Sequence, residues 1–187
     1  MWQANTLYMD TFNDMQLVKR RLFAMRNGII ADVLRRGGSP FRIIFGVNLP
    51  QLAEIADGFG YNADLAERLW QNSTTRESML IAPMLYPHDE FTVELARRWV
   101  SEVPSAEVAD VLCHRLLRHC PFAWELASEL LGEESDMARY TGLRLMFNML
   151  YQRPAETLEK AEKELARDCS LTSPVAAMMV AECRELL

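Results

Sequence analysis

Through residues 45–150 the apolar positions recur three and four apart, in short runs that each open on a residue suited to capping a helix. Asn48 stands just before Pro50, and Leu52, Ile55 and Ala56 follow at helical spacing until Gly58 and Gly60 stop the run. Asn62 opens a second run with Leu65, Ala66, Leu69 and Trp70 on one side, and further starts fall near Thr75, Asp89, Ser105, Ser135 and Ser173. Residues 7–26 read as a longer amino-terminal helix, in which Phe12, Met15, Leu17, Leu22, Phe23 and Met25 supply more apolar surface than one face needs. Leu158, Ala161 and Leu165, then Val175, Met178, Met179 and Ala181, predict a closing pair. No segment reads as a convincing strand. Helices this short do not stand alone, and one pair cannot bury both of its apolar stripes. The pattern therefore predicts an all-α chain of about ten helices, whose pairs stack into a solenoid, an α-α superhelix with a concave binding side.

Composition narrows this picture. At 187 residues, without a Gly/Ser-rich linker, the chain is expected to form one helical-repeat domain over residues 1–187. Its apolar runs fall well short of the roughly 18 residues that a membrane span needs. Residues 1–20 carry no basic flank followed by an apolar core, and four cysteines do not make a disulfide scaffold, so a cytoplasmic protein with reduced thiols and no membrane partner is expected. Trp70, Trp99 and Trp124 fall on apolar stripes and read as core, as do the methionines; Trp2 lies outside the periodic region.

Charge is uneven along the chain. Residues 1–45 hold seven basic and three acidic groups, a net of +4, whereas residues 46–187 hold thirteen and twenty-three, a net of −10. Lys19, Arg20, Arg21, Arg26, Arg35, Arg36 and Arg42 could neutralise phosphates, or could simply decorate solvated helix faces.

Few side chains invite chemistry. Cys113, His114, His119 and Cys120 are zinc-ligand types, but a helix over residues 105–118 would set Cys113 and Cys120 roughly 10 Å apart along its axis. Neither metal nor cofactor is expected, and no phosphate-binding loop, dinucleotide turn or hydrolase elbow occurs. Asp110 is the carboxylate worth weighing. On a helical wheel Val108, Ala109, Leu112, Cys113, Leu116 and Leu117 form the core stripe, and Asp110 falls at its edge. There it could stabilise a developing cation at a cleft, or pair with His114 one turn on.

These residues also carry a resemblance. Phe45-Gly46-Val47 with Leu49-Pro50 and Leu52, then Leu65-Ala66 with Leu69-Trp70, Arg98-Trp99-Val100, Asp110 with Cys113, Pro121-Phe122-Ala123, and Arg139 resemble the DNA alkylation repair family of HEAT-like glycosylases, most strongly over residues 42–150. The resemblance implies a solenoid of HEAT-like helix pairs that embraces duplex DNA and excises cationic N3- or N7-alkylated purines. It assigns the catalytic aspartate to Asp110 and a groove-lining, DNA-contacting arginine to Arg139. It also implies an aromatic cage that this chain lacks, since Ala106 stands four residues ahead of Asp110 and Met178 and Met179 occupy the last helix.

Two functions stay open on the sequence. One is a DNA alkylation repair protein with a degenerate glycosylase site, using Asp110 and Arg139 with Arg20, Arg21, Arg35 and Arg36 on the DNA. The other is a non-catalytic HEAT-like scaffold that takes a protein partner in its concave groove.

Overall fold

The computed structural model describes the backbone of residues 3–187 and the side chains of residues 14–187; Trp2 and the Phe12 side chain lie outside that range. Eleven α-helices and two 3₁₀ turns make up the described structure, with one isolated bridge, Ile43 to Thr75, in place of any strand. The chain groups into two compact units, Met1–Pro87 and His88–Leu187.

The first unit contains α1 (Gln3–Ala24), α2 (Gly28–Arg36), α3 (Leu49–Asp57), α4 (Ala63–Gln71) and α5 (Arg76–Leu85). Helices α4 and α5 form a pair, α3 packs on α5, and α1 lies against α4. The second contains α6 (Val93–Ser101), α7 (Ala106–Arg115), α8 (Ala123–Leu130), α9 (Asp136–Phe147), α10 (Pro154–Leu165) and α11 (Ser173–Leu186). Here α8 and α7 both pack on α9, and α10 pairs with α11. No described helix is long and apolar enough to cross a membrane.

The capping residues act as their types require. Asn48 accepts from Gln51 N while the Gln51 side chain returns to Asn48 N, and Asn62, Ser105 and Ser135 each accept from the backbone three residues on. A cap of this kind is worth about 0.5–2 kcal/mol, which matters for helices of two or three turns. One expected start shifts: residues 88–90 form a turn, so α6 opens on Thr92 instead of Asp89. Helices α5 and α11 begin where expected, with Thr75 at the N-cap of α5, although without a side-chain bond, and Ser173 as the first residue of α11. Helix α7 also ends early. The expected helix over residues 105–118 stops at Arg115, and a 3₁₀ turn at Leu117–His119 follows.

Each unit is tied together by one buried arginine–glutamate couple. In the first, Glu77 has no solvent exposure, and its carboxylate accepts from Gly46 N at 2.9 Å, Phe45 N at 3.0 Å and Arg76 Nη1 at 2.8 Å. Arg76 also donates to the Val47 carbonyl at 3.1 Å. The extended segment from Ile43 to Val47 is thereby pinned to the start of α5. Gly46 takes φ +76°, and a Cβ there would stand 2.1 Å from the Asn27 carbonyl oxygen, so no other residue fits. In the second unit Arg139 donates to Glu164 at 2.9 Å, to the carbonyls of Glu133 and Glu134, and to the Asp136 carboxylate. Thr172 Oγ1 donates to the same Glu164 oxygen at 2.8 Å, joining α9, α10 and the start of α11.

Removing one member of such a couple strands the other charge in a dry site. Glu77→Gln is expected to lower unfolding free energy by about 3–5 kcal/mol in urea melts. Glu54→Gln, on the exposed side of α3, should stay within about 0.5 kcal/mol of wild type.

Candidate functional site

The site is built where α7 meets α9. Ser105 caps α7, and Val108, Ala109, Leu112 and Cys113 are buried, which turns Asp110 onto the flank with its side chain 37% exposed. Helix α9 also approaches α8 closely, since a Cβ on Gly142 would stand 2.9 Å from the Ala127 carbonyl oxygen of α8. The Cys113 thiol donates to the Thr141 carbonyl at 3.4 Å, fixing the register of α7 on α9.

This register brings Tyr140 and Arg144, one turn apart on α9, onto Asp110. The Tyr140 hydroxyl donates to Asp110 Oδ1 at 3.0 Å, and Arg144 Nε stands 2.7 Å from the same oxygen. Arg144 Nε makes no properly aligned hydrogen bond, so that contact is ionic in character. The Arg144 guanidinium also lies 5.6 Å from the centre of the Phe147 ring. Burial first, and then the neighbouring Asp110 charge, push the Tyr140 phenol up to about 12, so it remains a hydrogen-bond donor at physiological pH.

The carboxylate is thus held in one orientation, half open to solvent, with a positive charge beside it. Held this way, Asp110 can orient a polar or cationic group brought to the surface. Its capacity to stabilise a fresh positive charge is reduced, because Arg144 already offsets its field. The expected pairing of Asp110 with His114 does not form: His114 Nδ1 stands 3.3 Å from Asn148 Oδ1 instead. Ala106, on the first turn of α7, presents only a methyl group.

The other residues singled out by sequence fall in different places. Arg139 is 6% exposed and committed to Glu164, Asp136 and two carbonyls, which corrects it from a surface contact to an internal strut. The arginine that meets Asp110 is Arg144, which the sequence reading did not select. A face argument was available, since Tyr140 and Arg144 share one side of α9 and Arg139 lies about 100° away from Tyr140. Arg20, Arg21, Arg35 and Arg36 are all exposed in the first unit, on α1 and α2. Arg35 pairs with Asp32 at 2.8 Å, and Arg21 lies 5.1 Å from the centre of the Phe59 ring.

Cys113 and Cys120 point into the core rather than toward a shared ion. The Cys120 thiol faces the carbonyls of Leu116 and His88, and burial raises both thiols, Cys120 to about 11. His119 stacks near His88, with ring centres 5.7 Å apart, and burial together with Arg118 lowers its basicity. No group of three or more metal-ligating side chains converges among the described residues. Trp70 and Trp99 are buried as expected, whereas Trp124 is half-buried with the Arg153 guanidinium 4.9 Å from its ring centre.

Comparison with known proteins agrees with this architecture. The family model described as DNA alkylation repair enzyme matches residues 18–170. No curated protein matches the sequence. One solved structure superposes with a TM-score of 0.78 at 16% identity, covering 88% of this chain and 73% of the other; it is described as a new family of proteins related to the HEAT-like repeat DNA glycosylases with affinity for branched DNA structures. At that identity the likeness shows the fold, which is all-α and HEAT-like.

Two solution measurements test the site. Asp110→Asn removes one of the charges that raise Tyr140, so absorbance titration should show its phenol moving down from about 12 toward the ordinary value near 10, while burial keeps it above that value. Thiol alkylation at neutral pH should strike Cys169 first. It is less buried than the other three cysteines, and hydrogen bonds from Thr172 and Leu171 hold its thiol low. Equal labelling of Cys113 would contradict the packing of α7 on α9.

Proposed function

The chain belongs to the DNA alkylation repair enzyme family, and we propose that it binds duplex DNA through the exposed arginines of α1 and α2 and excises alkylated purines weakly or not at all. The observation that carries this reading is the state of Asp110. A carboxylate can promote loss of a cationic base only if its negative charge faces the sugar as positive charge develops there. In this chain Arg144 and Tyr140 share that charge, and Ala106 offers no electron-rich face to a cationic purine. An aromatic face over a cation is worth about 0.5–2 kcal/mol, so its loss weakens recognition as well as rate.

Binding is electrostatic in this account. The cationic residues Arg20, Arg21, Arg35 and Arg36 lie in the unit whose amino-terminal part is net positive, whereas residues 88–187 hold eleven basic and eighteen acidic groups. Each phosphate contact adds about 0.9 to the slope of log affinity against log salt on duplex DNA. Recognition of an alkylated base by Asp110 remains part of the proposal, as a binding role more than a catalytic one. Arg139, being internal, has no part in it.

The test combines binding and chemistry. Duplex affinity should fall steeply with salt, and Arg35→Glu with Arg36→Glu should weaken it at least about tenfold and flatten the salt slope by about two. Unchanged affinity would remove α2 from the interface. Ala106→Trp, which supplies the absent ring, should raise release of 7-methylguanine from alkylated duplex above the wild-type level; no gain would mean that Ala106 is not what limits the site.

A further inference from the structure

The chain has three histidines, and all of them gather in the second unit. The His119 ring centre lies 5.7 Å from that of His88, with the planes 31° apart, and His114 is near enough for its charge to act on His119 as well. Two arginines stand among them. Arg115 follows His114 at the end of α7, and Arg118 precedes His119 in the 3₁₀ turn Leu117–His119. All five residues are exposed, and neither arginine makes an ion pair with a described residue.

Helix electrostatics account for only part of this cluster. His114 and Arg115 occupy the last turn of α7, where cations offset the partial negative charge of the unpaired carbonyls. Arg118, His119 and His88 lie beyond that turn. Carboxylates occur on every neighbouring element: Asp89 and Glu90 beside His88, Glu107 and Asp110 on α7, and Glu125 and Glu129 on α8. None of them compensates His119. Asp110 is held by Tyr140 and Arg144, Glu129 is held by Arg97, and the charges that act on His119 are Arg118, His88 and His114, all resisting its protonation. Burial first, and these like charges second, keep His119 below the ordinary histidine range.

The hydrogen bond within the cluster shows what would change that balance. Arg118 Nε donates to His119 Nε2 at 3.1 Å, so that nitrogen carries no proton. Protonating it breaks the bond and sets an imidazolium against a guanidinium. An anion shared by the two relieves the repulsion, and phosphate oxygens accept from both kinds of donor. His114 links the cluster to Asp110, which it follows by one turn, about 6 Å along α7. Its Nδ1 stands 3.3 Å from Asn148 Oδ1, which leaves Nε2 for another partner.

We propose that His114, Arg115, Arg118, His119 and His88 form a pH-sensitive clamp on the phosphates of a DNA strand that runs along α7 past Asp110. At neutral pH Arg118 is engaged with His119. On taking a proton from solvent, His119 releases Arg118, and both donate to a backbone phosphate. The bound phosphate favours the imidazolium, so binding takes up a proton and affinity rises as pH falls through the His119 titration. The inference rests on the DNA-binding reading above and adds to it a phosphate contact in the acidic second unit.

The experiment measures duplex affinity by anisotropy at constant salt, with the histidine ring signals followed by NMR on the same protein. Between about pH 7.5 and about pH 5.5 wild type should gain about five- to tenfold in affinity, and duplex should raise the His119 midpoint. His119→Gln should stay within about twofold of wild type at about pH 7.5 and lose most of the gain, whereas Arg118→Gln should flatten the salt slope by about 0.9. Wild-type affinity that is equal at both ends of the range overturns the clamp and leaves duplex binding through α1 and α2 intact. A gain that persists undiminished in His119→Gln puts the titrating group elsewhere and overturns the assignment. Inorganic phosphate that raises the His119 midpoint as far as duplex does assigns the cluster to the free anion and overturns the strand contact. Absence of duplex binding at every pH overturns both readings.

Discussion

Everything in the two units depends on a carboxylate that has no water. Helices of eight to fourteen residues are marginal by themselves, and their loops leave backbone N–H groups that must find acceptors. Glu77 meets that need in the first unit by taking the consecutive N–H groups of Phe45 and Gly46 together with its neighbour Arg76. The ring of Phe45 consequently stands at a cavity beside α5, and Gly46 is the residue that allows the segment to pass the Asn27 carbonyl. Glu164 plays the equivalent part in the second unit, where its hold on Arg139 fixes the rotation of α9. With Arg139 turned inward toward α10, Tyr140 and Arg144 are left to face α7 and meet Asp110. Structural ion pairs and candidate functional groups thus alternate along a single helix.

That arrangement decides how the site behaves. An aspartate poised for catalysis of cation formation should be hydrogen-bonded for orientation and otherwise uncompensated. Asp110 has the orienting bond from Tyr140, but also a guanidinium at 2.7 Å. The couple is partly exposed, so its own contribution to stability is small, and its chief effect is on the field above the surface. On the proposed reading, a partly neutralised carboxylate with Ala106 four residues ahead of it suits holding DNA better than cutting a glycosidic bond.

Much of the fold was legible in the sequence because its signals are local. Asn48, Asn62, Ser105 and Ser135 announce helix starts through short side chains that reach backbone N–H groups within the same turn, and the apolar stripes of α3, α4 and α7 are the buried ones. The failures involve partners distant in sequence. Thr172 caps α11 without using its hydroxyl because that group is taken by Glu164, and α7 stops at Arg115 although its apolar spacing continues through Leu116 and Leu117. Asp110 was placed correctly at the edge of its stripe, but its partners lie thirty and more residues away on α9. Choosing Arg139 over Arg144 required knowing which side of α9 turns inward, and Glu164 settles that from another helix. Trp124 illustrates the same limit: its stripe suggested core, whereas Arg153 covers a ring that is only half-buried.

The central claim is that this protein occupies alkylated DNA without efficiently opening the glycosidic bond. Single-turnover base release, with protein in excess over 7-methylguanine-containing duplex and occupancy followed by anisotropy in the same sample, tests it most directly. The account predicts saturated binding with release close to the spontaneous rate, and little difference between wild type and Asp110→Asn. Rapid release that rises with occupancy and disappears in Asp110→Asn would contradict it, because Asp110 would then be acting at full strength despite Arg144.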